Sequence, residues 1–244
     1  MELGSRTESE EIIRMNCYDL RGKRILFVGG GTGLDNAILG KLKESNAEES
    51  LTLYDQQNVA NIEADLKGLV KDGGPFDGVI FNIVHSDFRP LQFVKPELVN
   101  QIMNDNYGVF VEVIRSLKKY RGLNKGASVV AMSSISSTRA MKAKMAFCAS
   151  KAALDAAVRC LAVELAPQGI RVNTIQKGSV DVDSQKSHIQ DVMAVRGEGA
   201  ANESQAPLGK VKAEEIAEAV VFLLSDAVKT MTGTTIVIDG GFTA

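Results

Sequence analysis

What is scarce in this chain limits it first. Of its 244 residues only three are cysteine and two histidine. Cys17, Cys148 and Cys160 make neither an even set nor a metal-ligand spacing. That argues against a disulfide framework and fits free thiols in a reducing compartment, the cytoplasm. An excess of one charge is missing too. A formal net charge of -2 offers nothing to draw the chain to phosphate backbones or acidic membrane surfaces, which speaks against nucleic acid as a partner. Nowhere do ~18 apolar residues follow one another, the length a membrane helix needs. Met1 to Tyr18, with Glu8, Glu10 and Glu11, also lacks an apolar run of signal-peptide length, and it reads as a loosely ordered extension or partner-docking arm. With no internal repeat and no long linker, residues 19–244 read as one domain, and 45% hydrophobic residues supply its core.

From Lys23 onward short β-branched runs alternate with helical patterns. This is the mark of an α/β, Rossmann-like doubly wound parallel sheet flanked by helices. The strand candidates are Arg24 to Gly29, Leu51 to Asp55, Asn61 to Asp65, Gly78 to Asn82, Ala127 to Met132, Ile170 to Ile175 and Thr234 to Ile238. Several are almost wholly apolar, as strands buried on both faces are. Long helices are expected over Lys95 to Tyr120 and Phe147 to Ala166, and a shorter one over Lys212 to Ser225. Asp55 to Asp65 and Asp65 to Asp77 are each too short for a full crossover helix, since such a connection needs at least about 10 to 12 residues. The connections between strands 2 and 4 are therefore shortened. The alternative is one helix over Asn58 to Lys71 with the third strand missing. Ser179 to Gln205, polar and carrying Gly197 and Gly199, reads as a candidate lid.

Val28-Gly29-Gly30-Gly31-Thr32-Gly33-Leu34-Asp35 follows the first strand and opens the first helix. Glycines there permit a tight turn and let a pyrophosphate approach helix N–H groups, although a plain strand-to-helix turn reads the same way. Asp55 ends the second strand near the spacing at which an acid meets the ribose 2'-OH of NAD, and an acidic surface turn is nearly as good a reading. Further on come Val130-Ala131-Met132-Ser133-Ser134, Phe147-Cys148-Ala149-Ser150-Lys151, Leu165-Ala166-Pro167-Gln168-Gly169-Ile170-Arg171-Val172-Asn173, and Met231-Thr232-Gly233 to Asp239-Gly240-Gly241. Together these segments resemble the short-chain dehydrogenase/reductase family from about Asp19 to the C-terminus.

The resemblance implies NAD(P)-dependent carbonyl/alcohol oxidoreduction through an Asn-Ser-Tyr-Lys tetrad. Serine holds the substrate oxygen, tyrosine passes the proton, and lysine lowers the phenol pKa and binds the ribose. Ser134 and Lys151 match their slots. The tyrosine slot holds Phe147 and the asparagine slot aligns with Asp105, between Asn104 and Asn106. The implied cofactor positions are Gly29, Gly33, Asp35, Asp55, Asp65, Asn82, Lys151, Gly178 and Val180. NAD is slightly preferred over NADP because of Asp55.

Departures surround that site. Val28 replaces a threonine, and Asp35 replaces the third glycine of the phosphate turn. Asn-Asn-Ala-Gly becomes Phe81-Asn82-Ile83-Val84, Pro-Gly becomes Lys177-Gly178, and Val182 stands in the threonine slot at the nicotinamide end. No metal ligand set is expected, since His188 lacks a partner at recognisable spacing. His85, at the C-terminal edge of the sheet, reads first as a hydrogen-bonded edge residue. Cys148 reads as helix packing, and Lys142 and Lys144 as solvated charges. Two functions stay open: an impaired oxidoreductase, and a catalytically silent protein that keeps the fold to bind a small ligand or partner. A homodimer or homotetramer is expected from the family resemblance and from the small-residue face around Ala149, Ala152, Ala153 and Ala156.

Overall fold

A computed structural model describes residues 18–47, 51–54, 61–181 and 206–244, with the backbone alone for 51–54. Strand β1 (Ile25–Val28) is four consecutive buried apolar residues. Successive side chains leave opposite faces of a strand. Accordingly Leu26 and Val28 enter one core cluster while Ile25 and Phe27 enter the other. Strands β2 (Leu51–Tyr54), β3 (Phe76–Phe81), β4 (Leu123–Ser134), β5 (Arg171–Lys177) and β8 (Thr235–Ile238) complete a six-stranded sheet ordered β2-β1-β3-β4-β5-β8. Every pairing in it is parallel. A separate parallel pair joins β6 (Val180–Asp181) to β7 (Val211–Lys212).

Such a sheet must be covered on both faces. Helices α2 (Ile62–Gly73), α4 (Val109–Lys119) and α5 (Met145–Leu165) cover one, and α1 (Gly33–Glu44) and α6 (Ala213–Leu224) the other. The doubly wound α/β fold is therefore as expected.

One strand is not. Asn61 to Asp65 is no strand: from Ile62 onward it is the first turn of α2, and the sheet lacks that member. The stretch between Tyr54 and Phe76 has room for one crossover helix, because each connection flanking an extra strand would itself need at least about 10 to 12 residues. The apolar residues Ile62, Leu66, Leu69 and Val70 recur at helical spacing and pack into the core.

The helix expected over Lys95 to Tyr120 forms in three parts: α3 (Pro96–Met103), a π-helical segment (Asn104–Gly108) and α4. Pro96 sits at the helix start, where its missing N–H costs nothing. Asp55, Val182 and His188, most of the segment from Ser179 to Gln205, and residues 1–17 lie outside the described residues.

Candidate functional site

The ends of β1, β3, β4 and β5 meet at the C-terminal edge of the sheet, where ligands bind in open α/β folds. Thr32 caps α1 in a capping box with Asp35. The Asp35 carboxylate, 1% exposed, accepts from the Thr32 backbone N–H (2.9 Å) and hydroxyl (2.7 Å) through Oδ2, and from Asn82 Nδ2 (2.6 Å) through Oδ1. Thr32 Oγ1 in turn accepts from the Asp35 N–H at 3.2 Å. The carboxylate therefore sits behind the glycine turn rather than in front of it. A Cβ added at Gly29 would come 3.0 Å from the Asn82 carbonyl oxygen and 3.4 Å from Asp35 Oδ1, so the turn needs a bare backbone there. Asn82 Oδ1 is buried with no hydrogen-bond partner.

Lys151 on α5 is fully buried, and its ammonium donates to the carbonyls of Ile83 and Met132, each at 3.1 Å. One acceptor lies just beyond β3 and the other within β4, so the lysine ties the two neighbouring strands together. Burial pushes its pKa down from 10.5 to about 7, the charge of Lys177 adds to the fall, and Asp155 opposes it. Lys177 ends β5 opposite Ser134 in the β4–β5 ladder. Burial lowers its pKa as well, with Lys144 in support and Asp35 against. Lys144 is likewise lowered, chiefly by burial. Its ammonium stands 5.7 Å from the centroid of the Phe147 ring, so it is not the solvated charge expected.

Ser134 closes β4. Its hydroxyl donates to Ser136 Oγ and accepts from the Ser136 N–H, both at 3.1 Å. Phe147, 7% exposed, lies in the first turn of α5, with Lys151 one turn further on.

The asparagine slot is divided between two residues. Asp105, which the sequence alignment favours, turns to the His85 ring, Oδ2 to Nδ1, at 2.6 Å. Asn106 is the fully buried neighbour. Its Oδ1 accepts from the His85 N–H (2.8 Å), and its Nδ2 donates to the His85 carbonyl (2.7 Å) and to Ser150 Oγ (3.0 Å). Sequence reasoning missed both the role of Asn106 and the His85–Asp105 pairing. The available signal was three consecutive polar residues, Asn104 to Asn106, inside an otherwise apolar helix pattern.

Of the other expected cofactor residues, Gly33 opens α1, and Gly178 follows Lys177. A Cβ at Gly178 would come 2.9 Å from Asp239 Cα. Val180 is buried in β6, paired with Val211. Asp65 lies in the first turn of α2 and not at a strand end.

The glycine turn of this edge fits the diphosphate of a dinucleotide, whereas Lys151 is committed to the Ile83 and Met132 carbonyls. Gly31, at φ 84°, has nothing within 4 Å of an added Cβ and leaves the approach to the N-terminus of α1 open. A diphosphate bound at that turn would face the Asp35 carboxylate behind it, and like charges repel.

Comparison with known proteins agrees with this layout. The family model described as enoyl-(acyl carrier protein) reductase matches residues 21–243. D-Erythrulose reductase of Gallus gallus is 27% identical over 91% of this chain and 96% of that protein. L-Xylulose reductase of Mus musculus is 26% identical over 92% and 98%. A short chain dehydrogenase family protein from Francisella tularensis superposes with a TM-score of 0.78 at 28% identity, covering 91% of this chain and 99% of the other. A gluconate 5-dehydrogenase from Burkholderia cenocepacia, solved with NADP and tartrate, shares the fold at a TM-score of 0.82 and 20% identity, over 94% and 98%.

Two outcomes follow from the buried charges. For Lys151, the folded pKa of about 7 lies below the ordinary 10.5. The folded state thus disfavours the proton, and stability falls as pH drops from 10.5 to about 7, then levels off. Lys151→Met should accordingly be more stable than wild type by roughly 1 to 4 kcal/mol at pH ~6, the range seen when buried charges become apolar. The gap should close towards pH ~10, and urea melts at the two pH values check it. For Asp35, Asp35→Asn keeps the size and removes the charge. NADH affinity measured by calorimetry should rise about fivefold at low ionic strength, corresponding to ~1 kcal/mol of repulsion, and the gain should shrink in high salt. Equal affinities at every salt concentration would show that this charge does not reach the ligand.

Proposed function

This chain belongs to the short-chain dehydrogenase/reductase family, and we propose that it interconverts carbonyl and alcohol groups slowly, its usual phenol relay having been replaced by Phe147. One observation carries the reading. Ser134 ends β4, and Lys151 on α5 reaches that strand two residues earlier, at the Met132 carbonyl, as well as Ile83 beyond β3, with Phe147 one helical turn before Lys151.

A bound nicotinamide dinucleotide supplies or accepts the hydride. The glycine turn from Gly29 to Gly33 would take its diphosphate at the N-terminus of α1, and Lys151 would have to release Ile83 or Met132 to reach its ribose. Asp55 supports NAD over NADP. Ser134 must leave its bond to Ser136 to hold a substrate oxygen. The names of the two sugar reductases support small polyhydroxylated carbonyl compounds as first substrates to try. Free thiols at Cys148 and Cys160 support a reducing compartment. Among the described residues no helix is long and apolar enough to cross a membrane.

A second reading, a silent family member that binds a ligand or partner, draws support from the self-satisfied capping box at Asp35 occurring together with Phe147. Titration with NADH and NADPH separates the two: binding favours the enzyme and its absence the silent protein.

Assembly belongs to the same proposal. Ala149, Ala152 and Ala156 are exposed on α5, and Val163 on the same helix is 79% exposed. Such a flat apolar face suits a symmetric helix pairing in a homodimer or homotetramer. Sedimentation at micromolar concentration should give a multiple of 26.2 kDa, and a pure monomer would remove this part of the proposal.

For the chemistry, wild-type turnover of simple ketones, aldehydes and secondary alcohols should be very slow. Phe147→Tyr restores a phenol one helical turn from Lys151 and should raise kcat, by up to about 10²- to 10⁴-fold where no other group carries the proton. Continued silence of Phe147→Tyr combined with Asp35→Asn would count against the oxidoreductase reading.

A further inference from the structure

We propose that His85 is the proton carrier of this cleft, exchanging a proton between its Nε2 and the ligand oxygen while Asp105 and Asn106 hold it in place. The inference rests on the oxidoreductase reading above.

Position is the first argument. In the β3–β4 ladder Phe81 stands opposite Ala131. Lys151 still bridges the two chains beyond the end of β3, through the carbonyls of Ile83 and Met132. Continued in the same register, Val84 falls beside Ser134, and His85 one residue further along the rim. The chain after His85 also runs against the segment that leads into α5, since the Arg89 N–H donates to the Ala143 carbonyl at 2.7 Å. His85 thus lies on the same rim as the serine and the start of the Phe147 helix.

Orientation is the second. The backbone of His85 is clamped on both sides by Asn106, which also reaches Ser150, the residue before Lys151. The ring is held separately, by Asp105 at Nδ1. A residue that merely anchored a strand end would be fully served by the Asn106 clamp, and the second partner on the ring would be superfluous. Consecutive residues of an α-helix point about 100° apart. The wider π turn over Asn104–Gly108 lets Asp105 and Asn106 both serve His85, and π segments concentrate at functional sites. Among the described residues Nε2 has no partner, and the side chain keeps 30% exposure.

The chemistry follows from that arrangement. A carboxylate at Nδ1 fixes the tautomer with the proton on that nitrogen. In the reducing direction the carbonyl π bond opens as hydride from a reduced nicotinamide adds to carbon. The proton on Nε2 passes to oxygen, and an alcohol, an oxidised nicotinamide and neutral imidazole remain. Water then reprotonates the ring. In the oxidising direction Nε2 takes the hydroxyl proton.

The test uses the full chain with D-erythrulose and L-xylulose as probes and NADH or NADPH as reductant. His85→Gln should lower kcat about 10²-fold or more, the low end for a lost acid/base, with little change in KM. Adding Phe147→Tyr to that protein should bring turnover back, because the phenol supplies the proton instead. Asp105→Asn keeps size and a hydrogen bond, so it carries the test should His85→Gln not fold. It should lower kcat while leaving KM nearly unchanged. A second readout needs no turnover. The chain has only two histidines, so His188→Gln leaves one imidazole for nitrogen NMR. That ring should show its proton on Nδ1, a preference that Asp105→Asn abolishes. Wild-type-like turnover in His85→Gln, a proton on Nε2 in the neutral ring, or a wild type inert where Phe147→Tyr is active would each overturn the assignment and leave the oxidoreductase reading standing. Inertness of wild type and Phe147→Tyr alike, with no cofactor binding, would sink that reading and the His85 assignment with it.

Discussion

A lysine side chain with no access to water sets the geometry at the centre of this molecule, at a cost in stability. Transferring such a charge from water costs several kcal/mol after relaxation, and only close, well-aimed acceptors offset that cost. Lys151 finds them in two backbone carbonyls on neighbouring chains, Ile83 and Met132. The geometry therefore runs in both directions. The strands must stay side by side past the last β3 ladder pair to supply the acceptors, and α5 must lie close enough across them to deliver the side chain. Ser134, His85 and Phe147 all sit within a few residues of that junction, so their relative placement comes from the same constraint.

The surroundings of Lys151 are cationic. Lys177 and Lys144 each weaken a neighbouring positive charge in this cluster, and Asp35 is the acidic group that acts back on Lys177. That carboxylate is already committed to Thr32 and Asn82. Lys144 finds part of its compensation in the face of the Phe147 ring. An aromatic face attracts a cation through its quadrupole. Phenylalanine at this position thus has an electrostatic use of its own, beyond filling the space of a tyrosine.

Much of this was legible in the residues. The apolar strand runs, the glycine turn and the segments around Ser134 and Lys151 each gave the element that forms, because strand burial and helix spacing are local signals. Two readings stood open for residues 58–71, and the helix without a third strand is the one that forms: a five-residue window around Asn61 to Asp65 cannot distinguish the two periods, whereas Ile62, Leu66, Leu69 and Val70 taken together do. Counting residues sets Asp105 in the asparagine slot, yet the π segment turns its neighbour Asn106 into the core. A one-residue change in helical phase leaves no trace in composition. The partnership of His85 with Asp105 depends on that phase, and so it too could only be seen in three dimensions. The half-buried state of Lys144 left no sign in the residues around it.

The π segment holds one residue more than an α turn closed by the same bonding. Removing one residue between Asn104 and Gly108 would let the turn close to α geometry while Val109, Phe110, Val113 and Leu117 keep their face against the sheet. A change of length at this point is therefore absorbed locally. Its cost falls on the pairings that Asp105 and Asn106 make with His85, and the core behind them is spared.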